Sequence, residues 1–248
     1  MEFIIIEYLM EKPKKSLSQN FLIDKNISNK IVDQTIVTDK YILEIGPGNG
    51  FLTDNILQRN PKKIYLIEKD YNLKNALFKK YKNNKKVEII GDDILLTNLD
   101  RFKNLIIISN LPYNISSKII LYLFNFRDNI EEMILMIQKE MSLKFDYKLP
   151  KMNKYKFLTR VVSYYTRCFD VSSKVFFPKP KVRSTIVKFK FKKKIIDLKK
   201  ANHFSTKIFK NVRKKIYNNL EIKKDNHLFN KRVNQLNIEE LLSIYDLF

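Results

Sequence analysis

The stretch Tyr41-Ile42-Leu43-Glu44-Ile45-Gly46-Pro47-Gly48-Asn49-Gly50 decides the fold of this chain. Its first half predicts a buried strand and its glycines a tight turn, and the next residues, Phe51–Leu57, have helical spacing. A strand, a glycine turn and a helix in this order make the first half of a nucleotide-binding βαβ unit. Because glycine has no Cβ, the backbone of such a turn can approach a ligand closely. The sequence therefore predicts a Rossmann-like α/β fold.

The glycine turn also narrows the choice of ligand. Its G-x-G-x-G spacing places Phe51 where a dinucleotide fingerprint requires glycine, and the lysine and hydroxyl of a P-loop are absent. A helix start that need not cradle a pyrophosphate, beneath the acidic Glu44, suits a ligand with a cationic amine and a sulfonium. We therefore expect S-adenosylmethionine as the cofactor. A nicotinamide-dependent oxidoreductase is the alternative from another enzyme class, and cofactor titration discriminates the two.

Two acidic positions follow later predicted strands. Glu68 ends the strand that begins at Lys63. It lies about 20 residues after the glycine turn, where an acidic residue of such folds accepts ribose hydroxyls. The strand Val87–Ile90 is followed by Asp92 and Asp93, and a carboxylate there can accept the adenine amino group of the cofactor. We assign that contact to Asp93 rather than Asp92, although turns rich in glycine and aspartate are typical of any strand exit.

The tetrapeptide Asn110-Leu111-Pro112-Tyr113 follows the apolar run Leu105–Ser109, which predicts a buried parallel strand. It lies at the carboxyl end of that strand, where open α/β sheets bind ligands. An amine that donates both hydrogens to the Asn110 side chain and the Leu111 carbonyl keeps its nitrogen lone pair free. Tyr113 supplies a face on which a flipped base can stack. This pattern indicates methylation of adenine N6; the alternative is a plain strand-to-helix turn with an asparagine cap.

The proline-containing segment Val175–Ser184 offers a second aromatic face. Phe176 could project beside Tyr113 and close on the other side of a flipped base. A core phenylalanine before a proline turn is the alternative interpretation. The following residues, Thr185–Lys192, alternate apolar and basic, which predicts a half-exposed edge strand guarded by lysines.

Composition limits the remaining choices. The 248 residues are 44% hydrophobic, and Lys+Arg 48 against Asp+Glu 26 gives a net charge of +22. Such a chain can bury a full core, and its charge predicts attraction to a polyanion such as nucleic acid, although a lysine-rich compositional bias would look the same. The single Cys168 and two distant histidines favour a reduced, cytoplasmic protein without metal. No segment reaches the roughly 18 uncharged apolar residues that a membrane helix needs.

The chain is expected to divide into three parts. Residues 1–12 form an N-terminal extension, residues 13–192 a catalytic domain, and residues 193–248 a small helical domain that contacts RNA. Arg213-Lys214-Lys215 is a candidate RNA contact or a solvated helix face. The other expected elements are helices at 23–36, 118–126, 198–220 and 238–245, a strand at 133–137, a polar connector at 144–156, and a helix or strand at 158–169.

Taken together, the motifs closely resemble the rRNA adenine N6,N6-dimethyltransferases over nearly the whole chain. They resemble most the bacterial small-subunit group, which dimethylates two adjacent adenines near the 3′ end of 16S rRNA late in subunit assembly. The resemblance is carried by Gln19–Leu22, Glu44–Gly50, Glu68, Asp93, Asn110–Ser116, Gln138–Glu140 and Phe176–Val182.

The resemblance implies a role for each matching position. For the cofactor, Asn20 and Leu22 would line the pocket, and Gly46 would pass under the methionine part. Glu68 would hold the ribose and Asp93 the adenine. For the substrate, Asn110 would hold the target amine, and Tyr113 and Phe176 would sandwich the target base. One departure is Ser18, which stands where the family usually has glycine, so the turn there is expected to differ in shape.

The resemblance also implies a partner, 16S rRNA in the small ribosomal subunit, and we expect a cytoplasmic monomer. Two alternatives remain open. One is the same chemistry on large-subunit rRNA, as in antibiotic-resistance dimethyltransferases, against which the Asn110–Ser116 motif weighs. The other is a non-catalytic assembly factor, or a transcription-factor-like descendant of the enzyme, against which the intact site residues weigh.

Overall fold

The computed structural model describes residues 19–194, 196–221 and 227–248. It divides into two compact units, the first comprising residues up to Lys139 with Cys168–Lys188, and the second Glu140–Arg167 with Phe189–Phe248. The expected division, with residues 140–167 in the catalytic domain and a boundary near 193, stays a prediction. The expected extension, residues 1–12, and the departure at Ser18 lie outside the described residues.

The described residues form strands and helices in the following order. The strands are β1 (Phe21–Leu22), β2 (Tyr41–Ile45), β3 (Lys63–Ile67), β4 (Val87–Ile90), β5 (Leu105–Asn110), β6 (Ile130–Gln138), β7 (Ser163–Val171), β8 (Phe176–Phe177) and β9 (Ser184–Phe191). The α-helices are α1 (Lys25–Val32), α2 (Phe51–Leu57), α3 (Tyr71–Tyr81), α4 (Ser116–Phe124), α5 (Lys139–Phe145), α6 (Lys154–Val162), α7 (Leu198–Ile208), α8 (Ile216–Leu220) and α9 (Ile238–Leu247). Short 3₁₀ helices cover Ser173–Val175, His227–Asn230 and Val233–Gln235. Within the described ranges, no helix combines the length and apolarity needed to cross a bilayer.

A seven-stranded sheet in the order β4-β3-β2-β5-β6-β9-β7 forms the centre of the fold. β2 pairs in parallel with β3 and with β5, β3 with β4, and β5 with β6. The strand order therefore reverses between β2 and β5, which makes their carboxyl ends the topological switch point where open α/β sheets bind ligands. Gly46 follows β2 and Asn110 ends β5 at this edge. The Rossmann-like α/β prediction is confirmed.

The central strands are buried on both faces, as their unbroken apolar sequences predict. Ile42 and Leu43 in β2 and Ile107 and Ile108 in β5 are 0% exposed. All of Met133–Ile137 in β6 is equally buried. Removing this much apolar surface from water is the main stabilising contribution to such a sheet.

The expected edge strand at 185–192 is not at an edge. β9 lies between β6 and β7, so both of its sides are paired. The alternation of apolar and basic residues reports only that one face of the strand is more exposed. On that face Lys188 forms an ion pair of 2.9 Å with Glu132 of β6, so at least one of its lysines meets the neighbouring strand.

Several other expected elements have different bounds in the structure. The expected helix at 23–36 is only α1, and the helix at 198–220 is two helices, α7 and α8, with Arg213–Lys215 in the turn between them. The residues 144–156 are not a simple polar connector, because Asn153 caps α6 through its side chain. The buried Lys156 donates from Nζ to the Leu149 carbonyl at 2.9 Å, which orders the turn before that helix. The segment 158–169 is helix to Val162 and strand beyond it.

Candidate functional site

A cavity opens at the carboxyl ends of β2 and β5, within the first unit. It brings together all the site residues expected from the sequence except Phe176. Those that line it are Asn20, Leu22, Gly46, Glu68, Asp93, Asn110, Leu111, Pro112 and Tyr113. These residues come from separate stretches of the chain, and the strand order explains why they meet at one edge of the sheet.

The glycine turn presents its backbone to this cavity. Gly46 has φ +63°, and a Cβ built on it would meet no atom within 4 Å, so the space beside it is open. At Gly48, by contrast, a Cβ would lie 2.8 Å from the Phe21 ring. The Gly46 amide is held by the Ile67 carbonyl at 2.9 Å. The turn is therefore fixed in place, and a ligand can approach Gly46 more closely than any side chain would allow.

Glu68 lies where β3 ends and contacts the glycine turn directly. It is 6% exposed, and it accepts hydrogen bonds from the Gly48 amide at 3.3 Å and the Asp70 amide at 2.9 Å. Burial raises the pKa of this carboxyl, and the two amides partly oppose that shift. Each carboxylate oxygen has a further lone pair with which it can accept a ribose hydroxyl.

Glu44 is the second buried acid of the cavity. Its side chain accepts a hydrogen bond of 2.6 Å from the Thr53 hydroxyl. Burial raises the pKa of Glu44 to about 8, and the Thr53 hydrogen bond opposes the shift. A cationic ligand in the cavity would favour the ionised carboxylate, because an opposite charge nearby stabilises the charged form. The site therefore suits a ligand that carries positive charge.

Asp92 and Asp93 line the cavity at the exit from β4. Asp93 accepts a hydrogen bond from the Leu95 amide at 3.0 Å, and Lys69 lies 3.4 Å from its other oxygen. Asp92 accepts from the Asp93 amide at 2.8 Å and lies 3.3 Å from the Thr97 hydroxyl. Both residues line the cavity, and the choice of Asp93 stays a prediction.

Asn110 has one satisfied and one unsatisfied side-chain atom. Its Nδ2 donates to the Asn20 carbonyl at 2.9 Å, while its Oδ1 is buried without a hydrogen-bond partner among the residues that the structure describes. Buried acceptors are rarely left unpaired, because an unmade hydrogen bond costs free energy. The backbone amide of the next residue, Leu111, donates a hydrogen bond of 3.2 Å to the Met136 carbonyl. Asn110 therefore presents a fixed acceptor suited to an amino group.

Tyr113 follows at the same edge and is anchored by a residue that the sequence analysis did not single out. Its hydroxyl lies 2.6 Å from the Ser184 hydroxyl, and Ser184 is fully buried at the start of β9. Burial raises the pKa of Tyr113, partly offset by this hydrogen bond. No sequence pattern joins two residues 71 positions apart, so only the fold reveals the pair.

Phe176 is the one expected site residue that the structure does not bring to the cavity. It is 3% exposed and packs in the core cluster that includes Ile31 and Val171. In β8 it pairs with Leu22 of β1, which does line the cavity. This position fits the alternative of a core phenylalanine before a proline turn. Stacking of Phe176 on a target base stays a prediction that requires the ring to become accessible.

The chain matches a family model described as ribosomal RNA adenine dimethylase over residues 10–248. It is 40% identical over 215 residues to the ribosomal RNA small subunit methyltransferase A of Malacoplasma penetrans, covering 84% of this chain and 77% of that protein. A protein of the same name from Hydrogenobaculum sp. is 35% identical and is aligned over 96% of this chain and 94% of its own length.

Two solved structures share the fold. The 23S rRNA methyltransferase ErmE superposes with a TM-score of 0.75 at 19% identity, over 91% of this chain and 98% of that one. A dimethyladenosine transferase from Plasmodium falciparum gives a TM-score of 0.75 at 20% identity, over 92% and 98% of the two chains. At these identities the structures support the fold alone, whereas the sequence relatives and the family model extend over most of the chain. This chain therefore belongs to the ribosomal RNA adenine dimethylase family.

Proposed function

We propose that this chain transfers methyl groups from S-adenosylmethionine to N6 of two adjacent adenines near the 3′ end of 16S rRNA. Membership of the family makes it an rRNA adenine dimethyltransferase with S-adenosylmethionine as its cofactor. The small-subunit names of its relatives support 16S rRNA over large-subunit rRNA as the substrate. A role late in small-subunit assembly, in the cytoplasm and as a monomer, belongs to the same proposal.

The observation that carries the proposal is that Asn110, whose buried Oδ1 has no hydrogen-bond partner among the described residues, lines the same cavity as Gly46. A methyl transfer requires two molecules to be bound side by side. The fixed acceptor would bind one of them, and the open backbone turn would bind the other. The family relationship gives the identity of those two molecules. The shared cavity supports Asn110 and Gly46 as residues that would bring them together.

The residues fit the cofactor. The open turn at Gly46 would accept its methionine part, and Glu44 beneath that turn would favour its positive charge. Glu68 would accept the ribose hydroxyls, and Asp93 the adenine amino group. Asn20 and Leu22 would close the cavity from the N-terminal side. When bound, the cofactor supplies a methyl group already activated by its sulfonium.

The remaining chemistry is positioning of the adenine amine by this chain. Asn110 Oδ1 and the Leu111 carbonyl would each accept one amine hydrogen, which keeps the nitrogen lone pair off the ring and directed toward the methyl group. Tyr113 would support the ring of the flipped base by stacking. We expect no general base in the transfer step and no metal. The second transfer requires the first methyl to rotate away, which needs room beside the amine.

The C-terminal residues 193–248 would contribute contacts to the ribosomal RNA. Arg213, Lys214 and Lys215 are all exposed in the turn between α7 and α8, where a phosphate backbone can reach them. Phosphate contacts supply much of the affinity of nucleic-acid-binding proteins and make it dependent on salt. The net charge of +22 is consistent with such a partner.

The test of this function is methyl transfer to purified ribosomal subunits. The chain is incubated with labelled S-adenosylmethionine and small subunits from a strain that lacks this modification, with large subunits as the control. We expect dimethyladenosine at two adjacent positions near the 3′ end of the small-subunit RNA. Modification of large-subunit RNA instead would move the chain to the other substrate class. Binding of cofactor and subunits without transfer would make it an assembly factor.

A further inference from the structure

The hydrogen bond between the Tyr113 and Ser184 hydroxyls has no role in the function proposed above. The two oxygens are 2.6 Å apart, and Ser184 is 0% exposed. Tyr113 lines the cavity, whereas Ser184, the first residue of β9, does not. The bond therefore joins a residue that lines the cavity to a strand of the central sheet.

We propose that Ser184 is a positioning residue that fixes the ring of Tyr113 as the stacking platform for the target adenine. This inference rests on the proposed function, because it takes from it the base that Tyr113 supports. Ser184 touches neither substrate nor cofactor in this scheme. It acts by limiting the rotation of the Tyr113 side chain, so that the ring face is held at one angle before the base arrives.

Ser184 can do this because both of its neighbours in the chain are held. The Arg183 carbonyl accepts a hydrogen bond of 3.0 Å from the Lys139 amide. On the other side, the Thr185 hydroxyl donates to Asp170 at 2.8 Å. The second oxygen of Asp170 forms an ion pair of 2.5 Å with the Lys139 side chain. The Ser184 hydroxyl is thus presented from a backbone that is fixed on both sides.

The free-energy costs of removing the Tyr113 and Ser184 hydroxyls should not be additive. Removing either hydroxyl leaves the other partly or fully buried without its partner, which costs more than the bond itself contributes. Removing both leaves no unpaired group. The effects of Ser184→Ala and Tyr113→Phe should therefore not add, and the double variant should be no worse than either single variant.

The experiment compares methyl transfer to small ribosomal subunits by Ser184→Ala, Tyr113→Phe, their double variant and Ser184→Thr, which keeps the hydroxyl. Ser163→Ala is the matched control, because it removes a fully buried hydroxyl and its hydrogen bond to the Thr159 carbonyl from the first position of β7, and Ser163 does not line the cavity. For each protein kcat/KM for subunits, the dissociation constant of S-adenosylmethionine and the melting temperature are measured. The measurement of cofactor binding separates an effect on base positioning from damage to the cavity.

We expect Ser184→Ala and Tyr113→Phe each to lower kcat/KM by roughly threefold to tenfold, the scale of one neutral hydrogen bond. Cofactor binding should stay unchanged, Ser184→Thr should retain activity, and Ser163→Ala should lose stability but not kcat/KM. Equal activity of Ser184→Ala and Ser163→Ala, or additive losses in the double variant, would overturn the inference. If Ser184→Ala does not fold, Tyr113→Phe tests the same bond.

Failure of the inference can be told apart from failure of the proposed function. If the wild-type chain dimethylates small subunits and Tyr113→Ala abolishes transfer, the function stands whatever Ser184→Ala shows. If the wild-type chain binds cofactor but transfers no methyl group, the proposed function fails, and with it the role of Ser184.

Discussion

The side chain of Asn110 is oriented by the backbone of Asn20, whose carbonyl accepts its Nδ2 hydrogen at 2.9 Å. Because Nδ2 is engaged in that bond, Oδ1 is fixed on the opposite side of the amide group, and it is buried without a partner among the described residues. The N-terminal segment and the end of β5 are thereby joined at the point where the target amine would bind.

Replacing Asn110 by alanine should lower the rate of methylation far more than the affinity for S-adenosylmethionine. The reason is that Oδ1 would contact the amine during transfer, whereas the cofactor has other contacts. Single-turnover transfer and equilibrium cofactor binding measure the two effects separately. The exposed Asn83 offers a matched control, Asn83→Ala. Equal losses of rate and affinity in Asn110→Ala would mean that Asn110 mainly builds the cavity.

Glu68 should show the reverse pattern. Glu68→Ala removes both acceptors expected to hold the ribose and also frees the Gly48 and Asp70 amides. Since a hydrogen bond to a charged group contributes about 1.5–3 kcal/mol, we expect cofactor affinity to fall by at least tenfold. Glu68→Gln, which keeps one acceptor, should fall between the wild type and alanine. Unchanged cofactor binding in Glu68→Ala would remove the residue from this role.

Two glycines of the turn should respond differently to alanine. At Gly46 the new Cβ would enter open space, so Gly46→Ala should weaken cofactor binding and destabilise the fold only by the cost of positive φ, about 1 kcal/mol. At Gly50 the Cβ would lie 2.4 Å from the Tyr81 hydroxyl, so Gly50→Ala should destabilise the protein more strongly. Thermal unfolding and cofactor titration of both variants test this contrast. The reverse order of stabilities would contradict it.

The raised pKa of Glu44 predicts that the stability of the cofactor-free protein depends on pH. Its pKa is about 8 in the folded chain against 4.5 for an ordinary carboxyl, so in this interval folding takes up a proton. The free energy of unfolding of the cofactor-free protein therefore gains a contribution below pH 4.5 that is lost as the pH rises toward 8.

Glu44→Gln removes that proton uptake while keeping an acceptor for Thr53. The melting temperature of the variant relative to the wild type should therefore rise steadily between pH 5 and pH 8, an interval set by the two pKa values. Glu140→Gln, which changes an exposed glutamate in the same way, is the matched control. A difference between Glu44→Gln and the wild type that does not vary with pH would show that Glu44 ionises normally.

The basic turn Arg213–Lys215 should contribute to ribosome binding through phosphates. Changing its three residues to glutamine should weaken binding to small subunits and lower the salt slope of the association constant by roughly 2, if each cation meets one phosphate. A control with the same charge change replaces the exposed Lys79, Lys82 and Lys85. Equal effects of the two triple variants would indicate only nonspecific attraction by the net charge.

Local patterns were enough to predict the strands and turns that build the site. A few neighbouring residues are enough to recognise the apolar runs of β2 and β5 and the glycine turn between Glu44 and Phe51. These local patterns together predict a parallel sheet. The expected residues Gly46, Glu68 and Asn110 accordingly line one cavity.

Properties that depend on distant parts of the chain were not visible in the sequence. The pairing of β9 on both sides, the burial of Phe176 and the bond between Tyr113 and Ser184 all arise from segments far apart in sequence. The alternation in β9 could show which residues are exposed but not which strands lie beside it. Likewise, aromatic residues beside prolines fit a core as well as a binding surface.

The activity of this chain is tested by transfer of labelled methyl groups from S-adenosylmethionine to small ribosomal subunits that lack the modification, followed by mapping of the modified bases. We expect N6,N6-dimethyladenosine at two adjacent positions near the 3′ end of 16S rRNA, with none in large subunits and much less with Asn110→Ala under the same conditions. Cofactor and subunit binding without any transfer would contradict it.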